Sequence, residues 1–302
     1  MGEAVLEYHS GIVAAKLARS ERVLLENVEF SVAEGESLAL IGETGSGKTM
    51  TALSVMCLLP DNVQMRGGSV LLDGQTRSEK ERRALLGKEI VYIPQNGLES
   101  LNPAARVRTQ MFHALKKLGV SARERETAAA EKLRLAGFEK PEDVLPRYPF
   151  ELSGGMAQRV TIALSACSDA RLIIADEPTN GLDEAARENF LSLLHELFPR
   201  SGRLIITHDM GVAELCERTL VLCGGRAMEQ GPSKEVLSAP RQPYTAALLG
   251  SLVKNGLKPT PRLRESAGAC PFYERCARAD GDCLGEIEKR RDGEREWWCA
   301  HD

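Results

Sequence analysis

No apolar run in this 302-residue chain approaches the ~18 to 20 residues that a membrane-spanning helix needs. There is no basic surplus either. Lys and Arg number 39 against 43 Asp and Glu, a formal charge of −4, which argues against a nucleic-acid partner. The opening residues, MGEAVLEYHSG, lack a basic segment followed by an apolar stretch, so no secretion signal is expected and the chain should work in the cytoplasm. Disulfides are rare there. The chain shows no internal repeat and no low-complexity segment, and 43% hydrophobic with 27% charged residues excludes wholesale disorder. Its length predicts two domains, or one large α/β unit with an appendage, at about 150 residues per domain. Eight cysteines are present, and in a reducing compartment they raise the question of metals or packing, not of cross-links.

Residues 21 to 41 read as two short strands around the turn Ala33-Glu34-Gly35-Glu36. The second, Ser37 to Ile41, is almost continuously apolar, as a buried parallel strand would be. It runs into GETGSGKT and then an apolar helix, TALSVMCLL, which Pro60 should stop. SVLLDG, IVYIP, RLIIAD, RLIIT and TLVLC read as further strands. Between about 100 and 150 the texture becomes helical, with MFHALKKLG and SARERETAAAEKLRLAG each closed by a glycine. Strands alternating with helices predict a parallel sheet covered on both faces, with the helical stretch inserted in it.

Gly42-Glu43-Thr44-Gly45-Ser46-Gly47-Lys48-Thr49 fits G-x-x-x-x-G-K-[ST] between a strand and a helix. Glycines let the backbone curl so that several N–H groups point at one anion, and the helix adds its positive end. Lys48 would reach the β- and γ-phosphates, and the Thr49 hydroxyl would ligate Mg²⁺. The apolar run Leu172 to Ala175 ends in Asp176 and Glu177. An acid at such a strand end holds Mg²⁺ through water, which suits Asp176. Glu177 then stands where a water attacking the γ-phosphate could be polarised.

Between these motifs lies Leu152-Ser153-Gly154-Gly155-Met156-Ala157-Gln158. Asp176-Glu177-Pro178-Thr179, Gly181-Leu182-Asp183 and Thr207-His208-Asp209 follow in order. The set resembles the nucleotide-binding subunit of ABC transporters across essentially the whole chain. Gln95-Asn96 with Ser100-Leu101-Asn102-Pro103, Tyr148-Pro149-Phe150-Glu151 and Pro243-Tyr244-Thr245 resemble the importers of oligopeptides, dipeptides and nickel. The resemblance implies a P-loop NTPase (RecA-like) parallel sheet core, an N-terminal antiparallel β subdomain, a helical insertion at about 96–155 and a small cysteine-rich C-terminal extension. The ATPase domain would span 1–232 and the extension 233–302.

Two such subunits, identical or related, would pair head to tail around two ATPs. One offers its phosphate loop; the other offers Ser153, Gly154 and Gly155 at a helix N-terminus. His208 would orient the γ-phosphate and water, and Gln95 would sense Mg²⁺ and the γ-phosphate. The helical insertion would contact one of two membrane permease subunits at the cytoplasmic face, with an extracytoplasmic solute-binding protein acting indirectly. A soluble ABC-type ATPase is the alternative, but those usually carry a long coiled-coil insertion or tandem cassettes. A regulatory module that uses ATP only as a switch is opposed by the intact Glu177 and His208.

The family usually stacks adenine on an aromatic ahead of the phosphate loop, yet Ile12-Val13-Ala14-Ala15-Lys16 contains none. Tyr8 is a candidate for that role, against a plain strand role. Gly97 replaces a proline common after the glutamine, and Gln242 a histidine common before Pro-Tyr-Thr.

Cys57, Cys167, Cys216 and Cys223 fall in apolar texture and read as small buried hydrophobes. Cys270, Cys276, Cys283 and Cys299, spaced C-x5-C-x6-C-x15-C, lie in a polar tail that suggests a metal-held segment. Spacing alone leaves the metal open. The resemblance points to a [4Fe–4S] cluster, with zinc or free thiols as alternatives. Being distant along the chain, this extension is expected to form a subdomain apart from the phosphate loop.

Overall fold

A computed structural model describes residues 3–179, 184–252 and 270–301. Its centre is an eight-stranded sheet in the order Lys289–Asp292, Arg295–Trp298, Arg226–Pro232, Arg218–Cys223, Ser37–Ile41, Gly202–Ile206, Leu172–Asp176 and Ile90–Ile93. The last five of these run parallel. Two smaller antiparallel sheets, in the orders Glu29–Ala33, Ala4–His9, Ser69–Leu72, Gln75–Thr76 and Glu21–Glu26, Ile12–Lys16, Val63–Arg66, form the N-terminal β subdomain. Residues 21–33 are thus two strands where the sequence suggests one. The break falls at Asn27, whose φ of 51° turns the chain out of the extended conformation.

The continuous apolar character of the central strands follows from their having two buried faces. Leu38 and Leu40 pack toward the N-terminal sheets and the helix Lys48–Met56, while Ala39 and Ile41 point to the other face. That second face is covered by Glu184–Leu197, Met210–Leu215 and Pro243–Gly250, and it includes Cys270, Phe272 and Cys283 of the tail. A third core, from Leu101 to Cys167, belongs to the helical insertion and is completed by the helix Gly154–Ser165. Cys57, Cys167, Cys216 and Cys223 are all buried.

Two boundaries differ from expectation. The helix after the phosphate loop ends at Met56, ahead of Pro60, because Cys57 adopts a left-handed conformation (φ 56°) and its N–H bonds back to Leu53 and Ser54. The extension also continues the ATPase sheet: Arg295–Trp298 pairs with Arg226–Pro232. A buried ion pair, Arg295 Nη2 to Glu229 Oε1 at 2.6 Å, fastens the junction. Among the described residues, no helix is long and apolar enough to cross a membrane.

Gly97 explains itself by close approach. A Cβ there would lie 2.9 Å from the backbone Cα and N of Gln158, so the segment after Gln95 presses directly on the helix Gly154–Ser165. Gly97→Ala should cost about 1–3 kcal/mol through overpacking. A lowered midpoint of thermal unfolding checks this; an unchanged midpoint would contradict the contact.

Candidate functional site

The phosphate loop leaves the buried strand Ser37–Ile41 and enters the helix Lys48–Met56. Its turn demands glycine at two places. A Cβ on Gly42 (φ 150°) would meet Leu222 O at 2.2 Å, and one on Gly47 (φ 107°) would meet Leu25 Cδ2 at 2.5 Å. Lys48 folds inward: its Nζ donates to Gly42 O at 2.7 Å and Glu43 O at 3.0 Å. Burial pulls the Lys48 ammonium below the usual lysine range, against the opposing field of Glu177, Asp176 and Glu43. The Ser46 hydroxyl is buried and has no hydrogen-bond partner among the described residues. Thr44, Gly45 and Thr49 face solvent. A curled backbone, an ammonium and an unclaimed hydroxyl suit a polyphosphate.

The strand Leu172–Asp176 delivers two carboxylates beside this loop. Burial pushes the Asp176 carboxyl up, while the Thr49 hydroxyl bonded to it pulls the other way. Tyr92 Oη also donates to Asp176 Oδ2, at 3.3 Å, and burial pushes Tyr92 up to about 12. Gln95 lines the same cleft as Tyr92, Asn96, Glu99 and Asp176. Thr49 is bonded to Asp176, and Gln95 lines the same cleft as Asp176; the chemistry of this oxygen set suits Mg²⁺. Tyr92 went unnoticed in the sequence; its only signal there is a hydroxyl in an otherwise apolar strand.

Glu177 occupies a left-handed conformation with φ 48°, uncommon outside glycine. Its N–H is held by Ile206 O at 2.8 Å. Its Oε2 lies 2.7 Å from His208 Nδ1 and accepts from the His208 backbone N–H at 3.3 Å. The loop carrying His208 is anchored in turn, since Asp209 caps the helix Met210–Leu215 and pairs with Arg187 at 2.8 Å.

Ser153 caps the helix Gly154–Ser165, its Oγ accepting from Met156 N at 3.3 Å. Ser153, Gly154 and Gly155 are exposed, and a Cβ on either glycine would meet nothing within 4 Å among the described residues. Packing among the described residues does not require those glycines. Gln158 of the same helix donates to Pro178 O, one residue past Glu177. Gly181-Leu182-Asp183 lies outside the described residues.

Tyr8 is a core residue. It is 0% exposed, its Oη lies 2.6 Å from Ser54 Oγ, and its ring packs 5.1 Å from Phe30. The strand role holds and adenine stacking is excluded. Gln242 caps the helix Pro243–Gly250 by accepting from Tyr244 N, which accounts for an amide at this position.

The four tail cysteines converge. Burial pushes the Cys270 and Cys276 thiols up, and Cys283 and Cys299 lie close enough to add to the effect on both. Cys270, Cys283 and Cys299 are buried. Tetrahedral zinc, with Zn–S about 2.3 Å, would set its sulfurs about 3.8 Å apart. Among the described residues, the one set of three such ligand atoms within 4.8 Å of one another is Asp280, Cys283 and His301. The four thiols thus share one neighbourhood of the tail. The expected separation from the phosphate loop fails. Once Arg295–Trp298 joins the central sheet, the tail folds back until Arg275 pairs with Glu43.

The family model for ABC transporters matches residues 25–180. That for the oligopeptide/dipeptide transporter C-terminal region matches 228–283. A probable peptide ABC transporter ATP-binding protein of Sinorhizobium fredii is 39% identical, covering 86% of this chain and 83% of that one. The nickel import ATP-binding protein NikD of Rhodospirillum rubrum is 38% identical, with coverages of 80% and 92%. Among solved structures, a dimeric ATP-binding cassette in a post-hydrolysis state with ADP and Pi superposes with a TM-score of 0.65 at 26% identity, covering 76% of this chain and 98% of that one. With this fold, this phosphate loop and these relatives, the chain belongs to the ABC transporter family, and it carries the C-terminal region of the oligopeptide and dipeptide transporters.

Proposed function

We propose that this chain is the ATP-hydrolysing subunit of a membrane importer for peptides or for nickel and metal chelates, peripheral on the cytoplasmic face. The observation that carries the reading is the gathering of Lys48, Thr49, Asp176, Glu177 and His208 around one loop, while Ser153-Gly154-Gly155 faces outward with open space above it. ATP binds along Gly42 to Thr49, with Lys48 at the β- and γ-phosphates. Thr49, Asp176 and Gln95 hold Mg²⁺, which neutralises phosphate charge. Glu177 accepts the proton of the attacking water, and His208 orients it. A second ATPase subunit, identical or related, supplies its Ser153-Gly154-Gly155 segment to complete each site. The helical insertion of the ATPase domain 1–232 pushes on one of two permease subunits, which an extracytoplasmic binding protein loads. Co-expression with adjacent permease genes and assay of ATP-driven uptake in vesicles tests this. Uptake of peptide or of chelated nickel is the expected result; turnover with no permease association and no uptake would overturn it.

Cys270, Cys276, Cys283 and Cys299, within the extension 233–302, would hold a [4Fe–4S] cluster that organises a tail with little core of its own. Support comes from the four thiols sharing one neighbourhood of the tail. Anaerobically purified protein should be brown, absorb near ~400 nm and contain about four irons per chain. Serine at any one of the four should lose the colour, and serine at Cys57 or Cys167 should not. Colourless protein with one zinc would overturn the cluster and direct attention to Asp280, Cys283 and His301.

A further inference from the structure

We propose that Arg275, in the cysteine-rich lobe, is a positioning residue for the nucleotide site: it neutralises Glu43 of the phosphate loop and thereby sets ATP affinity. The inference rests on the nucleotide-binding reading above. The Arg275 side chain is 3% exposed, and its Nη1 reaches Glu43 Oε1 at 2.9 Å and Oε2 at 3.1 Å. Its guanidinium lies over the rings of Phe272 and Tyr244, 4.9 and 5.7 Å from their centroids. Tyr244 also holds Glu43, its Oη accepting from Glu43 N at 3.0 Å. A third contact reaches the same loop. Pro271 packs against Gly224, where a Cβ would meet it at 2.8 Å, and Gly225 N donates to Ser46 O at 3.0 Å.

Charge gives these contacts a purpose. The loop must receive a polyanion, yet Glu43 adds a negative charge within it. A carboxylate left unpaired there repels the phosphates, and partial burial of the site keeps that repulsion from being fully screened. Arg275 cancels it. A buried guanidinium fixed by two rings and both oxygens of one carboxylate keeps that carboxylate paired and in one place. The turn Tyr273–Arg275 is bracketed by Cys270 and Cys276, so the fold of the lobe reaches the nucleotide site through one side chain.

The test is equilibrium binding of a slowly hydrolysed Mg–ATP analogue, the imidodiphosphate, alongside steady-state kinetics. Arg275→Ala should weaken binding about tenfold and raise KM in step, with kcat changing less than about threefold. Arg275→Lys should recover part of the loss. Adding Glu43→Gln to Arg275→Ala should restore affinity to within about threefold, because the penalty comes from an unpaired charge. The double variant also keeps the test decisive if Arg275→Ala alone folds poorly: against Glu43→Gln alone it should bind almost equally. Unchanged affinity in Arg275→Ala, or a double variant as weak as the single one, would overturn the proposal. Failure of the wild-type protein to bind the analogue would instead overturn the nucleotide-binding reading itself.

Discussion

Glu177→Gln should cut ATP turnover by about 10²–10⁴-fold while leaving ATP binding intact. The amide preserves the shape of the side chain and cannot accept a proton from water. The geometry makes this residue hard to replace by a neighbour. Its φ of 48° and the 2.8 Å bond from its N–H to Ile206 O fix where the side chain departs, and His208 Nδ1 lies 2.7 Å from the carboxylate. Such a strained position persists only where surrounding structure enforces it. Binding without hydrolysis should accumulate an ATP-bound dimer, seen by size exclusion with Mg–ATP. Lys48→Ala should behave oppositely: the ammonium that serves the phosphates is gone, so binding itself fails and no dimer forms. Wild-type turnover in Glu177→Gln would remove that residue from its role.

Ser153→Arg should lower turnover by about 10²–10³-fold, the scale of losing a stabilising contact to transition-state charge. Analogue binding by the isolated subunit should stay within about twofold. The contrast follows from position. Among the described residues, the Ser153 side chain bonds only as a helix cap, and the two following glycines have open space around them. Losing the cap costs about 1 kcal/mol, too little to unfold the domain. An arginine here obstructs whatever must dock on this surface, and in the head-to-tail arrangement that is the ATP of the opposite subunit. A strictly monomeric yet fully active wild-type enzyme would contradict the arrangement.

By itself, the sequence determined the parts whose chemistry needs contiguous residues. A loop that wraps an anion must be written as consecutive glycines, lysine and threonine, so Gly42 to Thr49 were legible without coordinates, as were the strand-end pair Asp176 and Glu177 and the capped Ser153-Gly154-Gly155. The alternating strands and helices were legible for the same local reason, although Asn27 and Cys57 moved element boundaries through left-handed turns that no apolar pattern announces. Only the tertiary structure decided what depends on partners far along the chain. It buried Tyr8 against Ser54 and Phe30, set Tyr92 on Asp176 across 84 residues, and pressed Gly97 onto the helix Gly154–Ser165. It also carried Arg275 back over 232 residues to Glu43, bringing the tail against the phosphate loop. The physical reason is sheet order. Ser37–Ile41 lies between Gly202–Ile206 and Arg218–Cys223, and the tail joins the same sheet beyond Arg226–Pro232, so neighbours in space are set by non-local strand pairing that local sequence patterns do not encode.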